Sequence, residues 1–242
     1  MSAGALLIER YGSAARDVDV KSSSTDMVSA ADRDAEALIR SRLDEARPDD
    51  GLLGEEGSHS ASASGRRWVV DPLDGTTNFL YGFPGWAVSI ALEGELGVVF
   101  DPLREELFVA ERGKGATLNG EQLRLRAHSD LSTALVATGF GYEPQRRGKQ
   151  GVVVARALPR IRDIRRAGAA ALDLCWLAAS RVDGYYERGL NAWDWAAARI
   201  IAEEAGAAVA DLEREPHGLA AAHPDLLPAL LGLLDEAEAG VF

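Results

Sequence analysis

A single cysteine, Cys175, in 242 residues excludes an internal disulfide and suits a reducing cytoplasm. Histidine is also scarce: His59, His128, His217 and His223 show no metal-ligand spacing, so a zinc site has no support. Basic residues are outnumbered, 26 Lys and Arg against 38 Asp and Glu, leaving a net charge of −12. Binding a phosphate backbone needs a basic surface, which excludes an obligate nucleic-acid partner. No apolar run approaches a membrane span, so no membrane partner is expected. The opening Met-Ser-Ala-Gly-Ala-Leu-Leu-Ile-Glu has neither a basic n-region nor a long apolar core, and a cytoplasmic chain is expected. Two motifs are missing as well. No Gly-x-Ser-x-Gly elbow occurs. Gly113-Lys114-Gly115 lacks the spacing of a phosphate loop and reads as a hairpin turn. Cys175 lies in an apolar segment and reads as core.

What is present is an ordinary globular composition, 47% hydrophobic and 26% charged, enough for one large domain or two small ones. The chain is organised around residues 68–79. Trp68-Val-Val reads as a buried strand that Asp71 and Pro72 end. Asp74-Gly75-Thr76-Thr77 reads as a turn into a helix. Two carboxylates three residues apart at a strand's carboxyl end can share metal ions, with the following N–H groups aimed at an anion. The alternative is that both are turn-formers. An acidic chain would repel a phosphate unless cations reversed the local charge, so phosphate chemistry here requires divalent metal.

Around that stretch the patterning predicts a helix over 3–14, a polar loop over 21–26 and a helix over 29–46. A strand over 52–55 and a flexible loop over 58–65 follow. Strands at 86–92, 96–100, 106–111 and 122–126 form a mainly antiparallel meander. The pattern then changes, giving an N-terminal α+β half (1–127) and a C-terminal α/β half (128–242). The second half reads as strand 133–138, helix 150–158, strand 163–166, buried helix 169–179, strand 182–187 and helix 193–204. Strands 207–212 and 218–222 and a helix over 224–237 complete it.

Further acids stand at strand or helix ends. Glu55 and Glu56 sit between two glycines, Glu187 closes a strand, and Asp194 lies between Trp193 and Trp195. On spacing alone Asp194 reads as a helix-capping acid ahead of a cation ligand. Oxygen donors without clustered His or Cys favour Mg²⁺ or Mn²⁺.

Gly54-Glu55-Glu56, Asp71-Pro-Leu-Asp74-Gly-Thr76-Thr77-Asn-Phe79 and Trp193-Asp194-x-Ala-Ala together resemble the inositol monophosphatase family. That family belongs to the lithium-sensitive, Mg²⁺-dependent phosphatases. The likeness extends to Lys21…Asp26…Asp32, Gly168-Ala-Ala170 and Tyr185-Tyr186-Glu187. It implies a layered α-β-α-β-α sandwich of the sugar-phosphatase type. It implies that Glu55, Asp71 and the Leu73 carbonyl hold one Mg²⁺ and that Asp71, Asp74 and Asp194 hold a second. Glu55 would assist a third; Mn²⁺ could replace Mg²⁺, and Li⁺ would inhibit. Asp32 and Thr76 would orient and deprotonate the attacking water. Lys21, Gly75, Thr76 and Thr77 would face the phosphate, and Gly168, Ala169, Ala170, Glu187 and Asp194 the alcohol. The chain departs from many relatives at Ser24, Ser29, Ala31 and Ala169, the last replacing a frequent Ser or Thr. The implied activity is hydrolysis of a small phosphorylated polyol, inositol 1-phosphate first, by a homodimer. Fructose-1,6-bisphosphatase and other sugar, nucleotide or histidinol phosphatases are the alternatives, with Arg165, Arg166 and Arg188 available for a second phosphate. A protein-binding regulatory role in transcription is the alternative of another class.

Overall fold

The computed structural model describes residues 1–11, 18–20 and 27–242; Lys21 and Asp26 lie outside these. Helix α1 (Ser2–Arg10) is followed by the antiparallel pair β1 (Val18–Val20) and β2 (Met27–Ser29), then by α2 (Ala30–Ala46). Next come β3 (Gly51–Gly54), β4 (His59–Ser60), β5 (Arg67–Asp74) and the short α3 (Thr76–Leu80). A meander follows: β6 (Ala87–Leu92), β7 (Leu96–Asp101), β8 (Glu106–Glu111), β9 (Gly115–Leu118) and β10 (Glu121–Gln122). These strands from β3 onward form one eight-stranded sheet, ordered β10-β9-β8-β7-β6-β5-β3-β4, in which only β3 and β5 run parallel.

The remaining chain gives β11 (Leu135–Thr138), α4 (Pro144–Ala157), β12 (Asp163–Arg165), α5 (Ala170–Ala178) and β13 (Gly184–Arg188). It ends with α6 (Ala192–Glu204), β14 (Ala208–Leu212), β15 (Gly218–Ala222) and α7 (Leu227–Glu238). The second sheet is ordered β12-β11-β13-β15-β14, with β11 parallel to both neighbours and β15 antiparallel to both of its own.

Adjacent residues of a strand point to opposite faces, and here both faces are covered. On β5, Val69 packs toward α5 and α6 while Val70 packs toward α1 and α2. On β13, Tyr185 joins the α5–α6 side and Tyr186 the side of α4 and α7. The result is five layers, α-β-α-β-α. The core of the middle layer is apolar: Leu172, Leu174 and Leu177 of α5 are fully buried, each contributing about 1.5–3 kcal/mol. Helix α6 lies flush on β7, because a Cβ on Gly97 would run into the carbonyl of Ala197. Among the described residues no helix is long and apolar enough to cross a membrane.

Several elements differ from the sequence reading. Strand β5 does not stop at Asp71 but runs through Pro72 to Asp74. Its register against β6 slips between Asp71 and Asp74. The prolyl nitrogen falls in that bulge, where no ladder donor is needed. Helix α4 starts at Pro144, six residues before the expected 150, with proline in its first turn. The polar run 145–149 masked that start, since buried apolar residues occur only from Val153 on. Residues 122–126 are not a strand beyond Gln122: Leu123 and Leu125 pack on the core, and Leu125 N–H donates to the Ala205 carbonyl at 2.8 Å. Strand β9 was not foreseen, and the loop over 58–65 contains β4. Helix α1 ends at Arg10, where Tyr11 turns extended, rather than at residue 14.

Candidate active site

The bulge in β5 re-aims two carboxylates into one place. Asp71 is 2% exposed and Asp74 7%. An oxygen of Asp71 accepts the Leu73 N–H at 3.0 Å, closing the turn around Pro72. Gly75 then takes a left-handed φ of 92°, which favours glycine, and α3 begins at Thr76. The Thr76 hydroxyl lies 3.0 Å from Asp32 Oδ1 and 3.2 Å from the Leu73 carbonyl. Asp32, in the first turn of α2, is completely buried.

Asp74 reaches across to the second half of the chain. Its two oxygens accept the N–H groups of Ala170 and Ala171 at 3.2 and 2.7 Å, so it anchors the start of α5. Asn78 adds a second tie, donating to the carbonyls of Gly85 and Ala167. Asp194 stands at the third position of α6. It accepts the Asn191 N–H at 2.6 Å in a capping box. The capping role and a place in the acidic set are therefore combined in one side chain.

Glu55, Asp71, Leu73, Asp74, Gly75, Thr76, Gly168, Ala170, Glu187 and Asp194 line a single cavity of about 590 Å³. Three of the expected site residues do not line it. Asp32 lies behind Thr76, Thr77 is half-buried elsewhere on α3, and Ala169 is buried with its methyl toward Gly75. Lys21 falls outside the described residues.

The electrostatics are those of crowded acids. Burial, then the charges of Glu55, Asp74 and Asp194, push the Asp71 carboxyl far above its usual range. Burial raises Asp74 to about 7, opposed by its bonds to the α5 N–H groups. Asp194 is raised by burial too. Glu187, raised by burial to about 7, accepts the Tyr185 hydroxyl at 2.9 Å. None of Asp71, Asp74, Asp194 and Glu187 is ion-paired with Lys or Arg among the described residues. Buried, mutually repelling oxygens are a donor set that fits a hard cation. They are not preassembled around one, however. Among the described residues no three His, Cys, Asp or Glu side chains are arranged to hold a metal ion. Oxygens of Asp71, Asp74 and Asp194 are instead turned to backbone N–H donors.

Two groups were missed from the sequence. Glu36, one turn after Asp32 on the buried face of α2, accepts the N–H groups of Glu56 and Ser58 at 2.8 and 2.9 Å. It fixes the turn that carries Glu55, and its i,i+4 spacing from Asp32 was the available signal. The loop after β11 brings Phe140, Gly141, Tyr142 and Glu143 to the cavity, with Arg146 from α4. Its signal was position, since the carboxyl ends of parallel strands are where α/β sites form.

The inositol monophosphatase family profile matches residues 1–238. An inositol-1-monophosphatase SuhB of Mycobacterium tuberculosis is 46% identical over 215 residues, covering 84% of this chain and 74% of the relative. A Vibrio cholerae protein described as Nus factor SuhB is 44% identical over 194 residues, covering 78% and 73%. Among solved structures, an IMPase of Thermotoga maritima superposes with a TM-score of 0.90 at 31% identity, covering 100% of this chain and 95% of the other.

Proposed function

The chain belongs to the inositol monophosphatase family and is a phosphoric monoester hydrolase, and from that premise we propose Mg²⁺-dependent hydrolysis of a small phosphorylated polyol. Inositol 1-phosphate is the leading substrate, supported by the printed name of the Mycobacterium tuberculosis relative. The observation that carries the reading is the convergence of Glu55, Asp71, Asp74 and Asp194 on one cavity with Glu187.

The family is generally metal-dependent. In this reading Glu55, Asp71 and the Leu73 carbonyl would hold one Mg²⁺, Asp71, Asp74 and Asp194 would hold a second, and Glu55 would help a third. Mn²⁺ suits the same oxygens, and Li⁺ inhibits. Bound divalent cations supply the positive charge that admits the phosphate, activates a water and stabilises the departing alkoxide.

The chain's own residues do the positioning. Asp32 takes the hydrogen bond from Thr76, which leaves the threonine oxygen able to accept a proton from the attacking water. Gly75 and Thr76, which line the cavity, present N–H groups to the phosphate. Gly168 and Ala170 shape the wall on the alcohol side. Glu187, with one oxygen held by Tyr185, keeps the other for a polyol hydroxyl. No side chain is needed as a covalent nucleophile. A homodimer in the cytoplasm belongs to the same reading.

Phosphate release from a panel of monoesters, with and without Mg²⁺, tests it. Release from inositol 1-phosphate that requires the metal is expected; no release from any ester would sink the proposal. The Vibrio cholerae relative favours a second reading, an interaction module of the transcription machinery. Capture of partners compared for wild type and Asp74→Asn, with and without Mg²⁺, separates the two roles.

A further inference from the structure

Resting on that reading of Glu187, we propose that Gly139 determines which alcohols the site accepts, because the space of its missing side chain is the seat of the Glu187 carboxylate. Strands β11 and β13 run parallel with Thr138 beside Tyr186, so Gly139, the first residue after β11, stands beside Glu187. Ala137 and Tyr185 both face the α5–α6 side, and side chains two residues further along a strand return to the same face. A Cβ on Gly139 would run into the Glu187 side chain. Its three nearest neighbours would be the carboxyl carbon and both carboxylate oxygens.

Left-handed strain is no reason for glycine at this position. Gly75, Gly168 and Gly189 around the cavity have φ angles of 92°, 91° and 84°, whereas Gly139 has no positive φ. What a side chain would meet there is the carboxylate.

The strand that carries Glu187 has little room to yield. Glu187 pairs with Leu219 and Arg188 with Gly218 of β15, and a Cβ on Gly218 would overlap the Glu187 carbonyl. The backbone of β13 is thus flush with its neighbour. The carboxylate is tied as well, since its Oε2 accepts the hydroxyl of the fully buried Tyr185 at 2.9 Å. Phe140, next after Gly139, carries the Arg166 guanidinium 5.6 Å from its ring centre. The charge of Arg166 opposes the upward push that burial gives the Glu187 pKa. Two consecutive residues therefore serve one acceptor: the first leaves it room, and the second supports a cation that favours its charge.

A methyl group at position 139 has to displace the carboxylate. Glu187 then leaves its bond with Tyr185 and its place toward the alcohol, while Asp71, Asp74 and Asp194 are untouched. Esters held through alcohol hydroxyls lose affinity, and esters without such hydroxyls do not. The test measures kcat and KM for inositol 1-phosphate and for p-nitrophenyl phosphate, whose leaving group has no further hydroxyl. Wild type, Gly139→Ala, Glu187→Ala and the double variant are compared with Mg²⁺, together with their melting temperatures. In Gly139→Ala, kcat/KM for inositol 1-phosphate should fall about tenfold to a hundredfold, mostly through KM, as for a lost charge-assisted bond. The aryl ester should stay within about threefold of wild type. With Glu187 already alanine, Gly139→Ala should cost no further activity. Its effect on melting should also change from a decrease to none or a small increase, because alanine restricts the unfolded chain more than glycine does. If Gly139→Ala alone does not fold, a folded double variant supports the seat and an unfolded one overturns it. Equal losses on both esters, or a loss that persists without the Glu187 carboxylate, overturn the seat and leave the proposed function standing. No release from either ester by wild type overturns both.

Discussion

The hydroxyl of Thr76 meets a carboxylate oxygen of Asp32 at 3.0 Å, across 44 residues of sequence and away from solvent. A completely buried carboxylate is costly to retain, and this one is aimed at a hydroxyl on the cavity wall.

Thr76→Val removes that hydroxyl at nearly constant volume. We expect kcat for phosphate release to fall at least about a hundredfold, with KM little changed. Thr76→Ser should keep most of the activity. A valine variant that turns over within a few-fold of wild type would remove the dyad from the reaction.

Asp74→Asn and Asp194→Asn each delete one negative charge at constant size. Both should nearly abolish phosphate release while circular dichroism still reports a folded chain. Asp74→Asn also sets an amide donor against the Ala170 and Ala171 N–H groups, at a cost of about 1–3 kcal/mol. Asp194→Asn keeps an acceptor for the Asn191 N–H and should melt closer to wild type.

Mg²⁺ should raise the melting temperature of the wild-type protein, because it relieves repulsion among buried acids. At a concentration about a hundred times the dissociation constant, the gain is about 2.7 kcal/mol. The shift should shrink in Asp74→Asn, and a melting point indifferent to Mg²⁺ in wild type counts against a metal held by these residues.

Asp173 on α5 is 1% exposed, and neither of its oxygens has a hydrogen-bond partner among the described residues. Burial, then the charge of Glu187, raises its pKa well above the usual value. A carboxyl whose folded-state pKa exceeds its unfolded value stabilises the fold only while protonated, so its support drains away as pH rises through that window. Asp173→Asn should therefore melt higher than wild type at pH 8, the gap closing toward pH 4. A gap independent of pH would show that the charge is not what matters there.

Many strands and helices were legible because they repeat at periods of 2 and 3.6, as in β8 and α2, or run apolar throughout, as in α5; their stacking into five layers was implied only by the family resemblance. Pro72 misled, since a bulge excuses proline from the ladder and a bulge leaves no mark in the residue pattern. The start of α4 was hidden for a related reason: a helix end that packs against little carries no apolar stripe. The acids of the candidate site could be named from sequence because charged residues between glycines at strand ends are conspicuous. Their present partners could not. That Asp74 would bond to Ala170 and Ala171, 96 and 97 residues away, depends on how two sheets stack around α5. Tyr142 and Arg146 were missed for the same cause, since a loop's relevance depends on which cavity its strand happens to face.

The bare contact between Gly97 and α6 has a mechanical consequence. Ala197, the residue it touches, lies one turn along the helix from Asp194. The hydrogen atom at position 97 acts as a shim of minimum thickness beneath that helix. A methyl group would thicken it by about 1.5 Å, and a displacement of that order at a reacting centre can cost about a hundredfold in rate. The height of one acidic side chain above the first sheet is thus set from a strand that has no part in the cavity.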